Sequence, residues 1–128
     1  AMHGDAEGQC NIGACYENGE GAAQNLCIAA EYYTEAAEQG YARGQYKLGI
    51  CYEKGKGVAQ DLGMAVKLYT KAAEQGHTPS QVNLGCCYNE GKGVAQDRGK
   101  AVEWYRKAAG QGNAHAAVLV YRSTAGVN

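Results

Sequence analysis

Phenylalanine is absent from this chain, tryptophan and proline occur once each, and serine occurs only at Ser80 and Ser123. Two serines, one at a helix start and one in the terminal turn, leave little material for hydrolytic chemistry, and neither is expected near a histidine in any stacking of the chain. Charge of one sign is missing too: 12 basic against 13 acidic residues give a formal charge of −1, without the basic footprint of a nucleic-acid or anionic-lipid binder. No run reaches the roughly 18 apolar residues of a membrane-spanning helix, so membrane insertion is not expected. The first dozen residues lack a basic segment followed by an apolar core; Ala1-Met2-His3-Gly4 reads as a cloning remnant, and if it is one, any targeting signal was cut away with the preceding chain. No run alternates apolar and polar residues with β-branched enrichment, so strands are not expected. Cys-x-x-Cys is lacking, and His3, His77 and His115 are scattered along the chain, His77 in an exposed loop; no metal, no cofactor and no catalytic residue is expected.

What the chain has instead is glycine, 19 of its 128 residues, returning at an interval of 36. Ala42 to His77 set against Thr78 to Asn113 gives 21 identities in 36 positions. The phrase Leu48-Gly49-x-Cys51-Tyr52-x-x-Gly55-Lys56-Gly57-Val58-Ala59-Gln60-Asp61 returns from Leu84 to Asp97, and residues 6–41 form a looser first copy. A period of this size marks a solenoid, in which each unit buries its apolar face only by stacking on neighbours. One solenoid domain is expected over residues 1–128, with repeats at 6–41, 42–77 and 78–113 and a capping helix at about 114–124.

Within the unit, Leu48, Cys51 and Tyr52, and then Ala65, Val66, Leu68, Tyr69 and Ala72, recur at intervals of three and four, the period of an amphipathic helix. The spacing predicts first helices over about 6–18, 42–54 and 79–90, and second helices over about 26–39, 62–75 and 98–111. Asn25, Asp61 and Asp97 stand as N-caps of the second helices, and Thr78 as an N-cap followed by a first-turn Pro79. Gly40, Gly76 and Gly112 stand where a helix ends in a left-handed residue. Gly13, Gly49 and Gly85 fall inside first helices, where glycine costs about 1 kcal/mol relative to alanine; the repeated cost implies close approach of the partner helix. Six of the ten tyrosines repeat, Tyr16, Tyr52 and Tyr88 with Tyr33, Tyr69 and Tyr105, and are read as core residues with the hydroxyl at an edge. Tyr121 replaces the glycine in the last helix, which suits a terminal cap.

The pattern Leu-Gly-x-x-Tyr-x-x-Gly-x-Gly-Val, then Asp, then Ala-x-x-x-Tyr-x-Lys-Ala-Ala-x-Gln-Gly runs through Leu48 to Gly76 and Leu84 to Gly112, and with substitutions through Ile12 to Gly40. It resembles the Sel-one-like repeat, a relative of the tetratricopeptide repeat. The resemblance implies an all-α, right-handed α/α superhelix whose first helices line a concave face. It also implies a non-enzymatic scaffold or adaptor that binds a protein or peptide segment there. Two other readings stay open: a secreted or periplasmic envelope protein binding cell-wall or β-lactam-like ligands, as cysteine-rich relatives are suggested to do, and a spacer within a longer array. The first repeat carries no N-terminal cap, so self-association through its outer face is a further expectation.

Cys15, Cys51 and Cys87 share one position in the unit, and stacking separates them by about 8 to 10 Å per helix layer, beyond the roughly 7 Å α-carbon limit of a disulfide. They are expected unbridged, as small apolar packing residues, with a reducing compartment favoured unless a secretion signal was removed. Cys10 and Cys27 have no counterparts, and pairing of either stays open. Tetratricopeptide-like geometry assigns six groove positions to each layer, among them Asn11 and Glu17 in the first, Arg43, Tyr46, Lys47, Ile50, Glu53 and Lys54 in the second, and Val82, Asn83, Cys86 and Asn89 in the third. Tyr46, Ile50, Val82 and Cys86 make an apolar strip unusual for bare surface. Asn11, Lys47 and Asn83 suit a peptide backbone or a carboxylate. These positions differ between copies while packing positions repeat, as recognition or drift on a solvated face would both produce.

Overall fold

Apolar spacing of three and four puts two helices into each 36 residues, and the computed structural model, which describes residues 5–124, realises them. In order they are α1 Ala6–Asn18, α2 Leu26–Glu38, α3 Ala42–Lys54, α4 Leu62–Glu74, α5 Thr78–Glu90, α6 Arg98–Gly110 and α7 Ala114–Thr124. No strand occurs among the described residues, and the opening tetrapeptide lies outside them. Each odd helix packs on the even helix after it, and α2 on α3, α4 on α5 and α6 on α7 join successive units, so the chain is an all-α solenoid.

Side chains set the helix ends. Asn25, Asp61 and Asp97 accept hydrogen bonds from the amides of Ile28, Met64 and Lys100 at 3.1, 3.0 and 3.0 Å, satisfying amides that have no partner within the first turn. The second helices stop one residue short of the expected ends because Gln39, Gln75 and Gln111 are their C-caps. Gly76 follows in the left-handed region at φ 90°, and the His77 amide then donates to Ala72 O at 3.2 Å, closing the helix as a Schellman motif.

The start of α5 departs from expectation. His77 is the N-cap and Thr78 already lies in the helix, with Pro79 in its first turn. His77 Nδ1 sits 2.7 Å from Ser80 Oγ, so a serine does neighbour a histidine here, and His77 is half-buried rather than exposed. One helical turn brings an N-cap and the residue three beyond it together. Ser80 is completely buried, so its hydroxyl is out of reach of a substrate.

The repeated glycines make room for tyrosines. A Cβ on Gly49 would stand 2.8 Å from Cε1 of the fully buried Tyr69, and Gly13 and Gly85 face Tyr33 and Tyr105 in the same way. Gly57, at φ 75°, lets the second loop lie directly on the start of α2, where a Cβ would meet Leu26 O at 2.2 Å. In the first repeat the corresponding Gly21 has nothing within 4 Å, and Ile12 is 43% exposed where its counterpart Leu48 is 5% exposed. All six cysteines are free, Cys10, Cys51 and Cys87 in the core and Cys27 exposed.

Candidate recognition face

Residues of the first helices that point away from the second helices form one face of α1, α3 and α5. Two glutamates on it prove to be part of the framework. Glu53 accepts from the Tyr69 hydroxyl at 2.6 Å through Oε1 and from Lys92 Nζ at 2.9 Å through Oε2. One repeat earlier, Glu17 accepts from Tyr33 at 2.5 Å and from Lys56 at 2.7 Å. Each carboxylate thus ties the buried tyrosine of its own repeat to the loop lysine of the next. Burial pushes the Glu53 carboxyl up, but the Tyr69 and Lys92 hydrogen bonds with the lysine charge outweigh it and hold the group below the usual glutamate range. The same balance holds for Glu17, with Lys56 and Tyr33 as donors. In the third repeat the position is Asn89, and the Tyr105 hydroxyl turns instead to Cys86 Sγ at 3.5 Å.

Between the second and third layers the face opens into a cavity of about 380 Å³. Tyr46, Ile50, Glu53, Lys54, Asn83 and Cys86 line it, and the sequence reading named all six; Cys87 and Lys92 complete the wall. The Tyr46 ring leans on Tyr69, centroids 6.2 Å apart, and on the His77 imidazole at 4.9 Å. Burial and then the Glu53 charge raise the Tyr46 phenol, against an opposing hydrogen bond from Asn83. His77 is held below the ordinary imidazole range by burial and by the Arg43 charge. The arrangement offers an apolar wall, an amide and an ammonium group to a ligand.

The other assigned residues lie elsewhere. Val82 is 9% exposed and packs on Ala108 and on Ala116 of α7, so it belongs to the core; the cap covers the position that the open groove geometry would expose. Arg43 of the second layer donates to Asn11 of the first at 3.5 Å, and Lys47 stands near Glu17, away from the cavity wall. Asn89 uses its carbonyl to accept from Gln96 Nε2 at 2.8 Å, closing its own loop. Lys92 is the residue that sequence reasoning missed. The signal was present in the repeated Gly-Lys-Gly, with each lysine 39 residues after a glutamate.

Among the described residues no group of three or more histidine, cysteine or acidic side chains is placed to hold a metal ion, and no helix is long and apolar enough to cross a membrane. The Sel1 repeat pattern matches residues 6–41, 42–77 and 78–113. Among curated proteins, none matches the chain. Solved structures do. A protective antigen present in uropathogenic Escherichia coli strains, displaying an SLR fold, is 40% identical with a TM-score of 0.85, over 87% of this chain and 24% of the antigen. A Sel1 repeat protein from Oxalobacter formigenes is 38% identical with a TM-score of 0.89, over 97% of this chain and 52% of its own. This chain therefore spans about a quarter and about half of those two proteins. Helicobacter pylori cysteine rich protein B is 27% identical with a TM-score of 0.74, over 93% of this chain and 97% of its own. Three matched repeats, each an antiparallel helix pair locked to the next by a loop, place the chain in the Sel1 repeat family.

Proposed function

We propose that this chain is a protein-interaction module that takes a peptide or protein segment along the face of α1, α3 and α5, seated at the cavity between the second and third repeats. Sel1 repeats generally mediate protein–protein interaction, which supports the class of function. The observation that carries the site is the convergence of Tyr46, Ile50, Asn83 and Cys86 on one cavity. Solvated surface rarely gathers apolar side chains around a hollow with polar groups at its edge. Glu53 contributes to the wall, but both of its oxygens are engaged within the fold. A bound segment would therefore meet Tyr46 and Ile50 as apolar anchors, with Asn83 and Lys54 as polar contacts.

A peptide library displayed on phage and panned on the folded chain tests the reading. Enriched peptides, made synthetically, should bind in fluorescence anisotropy and lose at least about tenfold in affinity on Ile50→Asp, a loss of about 1.4 kcal/mol, with helicity unchanged by circular dichroism. Binding equal in the variant, or no enrichment at all, would overturn the site.

A further inference from the structure

The opposite face, built from the second helices, carries a hollow at the same place in successive repeats; the third, about 280 Å³ and lined by Tyr88, Lys100, Glu103, Trp104 and Lys107, has a rim of mixed charge. The first, about 590 Å³, is lined by Ile28, Glu31, Tyr32, Thr34 and Glu35 together with Tyr16. The second, about 330 Å³, is lined by Met64, Lys67, Leu68, Thr70 and Lys71 together with Val66. Five positions correspond one to one at the 36-residue period. The floor stays apolar and the threonine is retained, but both rim charges reverse: Glu31 becomes Lys67 and Glu35 becomes Lys71. All four rim residues are exposed, and the ion pairs among the described residues involve other side chains. Met64 is 36% exposed beside them.

We propose that two copies of this chain pair through this face in a closed two-fold dimer, α2 of each lying parallel on α4 of the other. In one copy α2 and α4 correspond under the repeat and run the same way, so a two-fold axis lying in the interface, midway between them and parallel to both, sets each α2 on an α4 of the same direction. Glu31 then faces Lys67 of the second copy and Glu35 faces Lys71. Because the glutamates and lysines hold equivalent positions of successive repeats, the pairs meet at the same height, and the symmetry makes the set twice. An isologous interface requires this self-complementarity. The hollows receive the opposing rim side chains, and Ile28 and Met64 lose contact with water. Exposed ion pairs are individually weak and screened by salt, so dissociation on the order of 100 µM at low salt is expected. The dimer leaves the α1, α3 and α5 face open on both copies.

Sedimentation equilibrium from micromolar to millimolar concentration tests the pairing. At low salt the weight-average mass should rise from 13.5 kDa towards twice that value, and fall back in about 1 M salt, where the screening length is near 3 Å. The double variant Lys67→Glu with Lys71→Glu should stay monomeric, as should Glu31→Lys with Glu35→Lys. An equimolar mixture of the two should dimerise, because each supplies the charges that the other lacks, and the fourfold exchange within one chain should restore the homodimer. A native chain monomeric throughout at low salt overturns the proposal and leaves the face to a different partner. So does a dimer indifferent to both reversals.

Discussion

Lys92 Nζ lies 2.9 Å from Glu53 Oε2, and through that carboxylate the loop of the third repeat is joined to the buried Tyr69 of the second. Replacing Glu53 by alanine takes away the acceptor of the fully buried Tyr69 hydroxyl. Unpartnered buried polar groups cost about 1–3 kcal/mol, and urea denaturation should show a loss of that size. Lys92→Met, at the exposed end of the same pair, should cost about 0–1 kcal/mol. Equal losses for both variants would show that the tyrosine bond is not the larger part.

The two framework glutamates also give the fold a defined acid response. Both titrate below the usual range when folded, so the unfolded chain binds protons more readily. Their contribution is complete above the ordinary glutamate pKa of about 4.3 and is lost as pH falls through the lower folded values. Chemical denaturation at a series of pH values should show stability declining below about pH 4.3, with a shallower decline in the Glu17→Gln, Glu53→Gln double variant. Parallel curves would place the acid response on other groups.

Gly49 and Gly110 should respond to alanine in opposite directions. At Gly49 the new Cβ would press the Tyr69 ring at 2.8 Å; overpacking of about 1–3 kcal/mol outweighs a helix-propensity gain of about 1 kcal/mol. At Gly110, the last residue of α6, nothing stands within 4 Å of an added Cβ, and substitution should raise stability by about 0.4–1 kcal/mol. Thermal melts of the two variants decide the matter.

Thiol labelling should be strongly graded. Burial, followed by the charge of Glu53, pushes the Cys87 thiol up to about 11, and burial with Glu17 does the same for Cys51. Cys27 is exposed. A disulfide reagent at pH 8 should modify Cys27 quickly and leave Cys51 and Cys87 until the chain unfolds, since only a thiolate attacks. Mass spectrometry of early time points reads the order, and early modification of Cys87 would contradict its burial.

His77 should titrate below the ordinary imidazole value of about 6.5, because burial and then the Arg43 charge disfavour its protonated form. Its contribution to stability is present above about pH 6.5 and is lost as pH falls through the folded value. An NMR titration should show the ring pKa rising in Arg43→Met. No change would leave burial as the whole cause.

Helix positions were legible because they rest on local chemistry. Asp61 and Asp97 cap, Tyr69 and Ala72 keep helical spacing, and Gly76 ends a helix in the left-handed region, all within a few residues of chain. The candidate face was legible in part. Tyr46, Ile50, Asn83 and Cys86 reach the cavity because the stacked first helices put equivalent positions side by side. Val82 did not, since its surroundings depend on α7, the unit least like the others. Glu53 was read as a groove contact because its lysine lies 39 residues away and meets it only after the intervening loop folds back. The His77 and Ser80 pairing was missed by placing the cap one residue late.

The glutamate bridges also set the order in which the array comes apart. A solenoid unfolds as a chain of neighbours, each junction with its own coupling strength. The first two junctions carry a carboxylate shared by tyrosine and lysine. The junction of α6 with α7 has Asn89 at the corresponding place and Tyr105 bonded to a thiol, a weaker acceptor. Opening therefore starts at α7 and travels inward, so amide hydrogens there exchange soonest while those around Tyr33 and Tyr69 report the unfolding of the whole array.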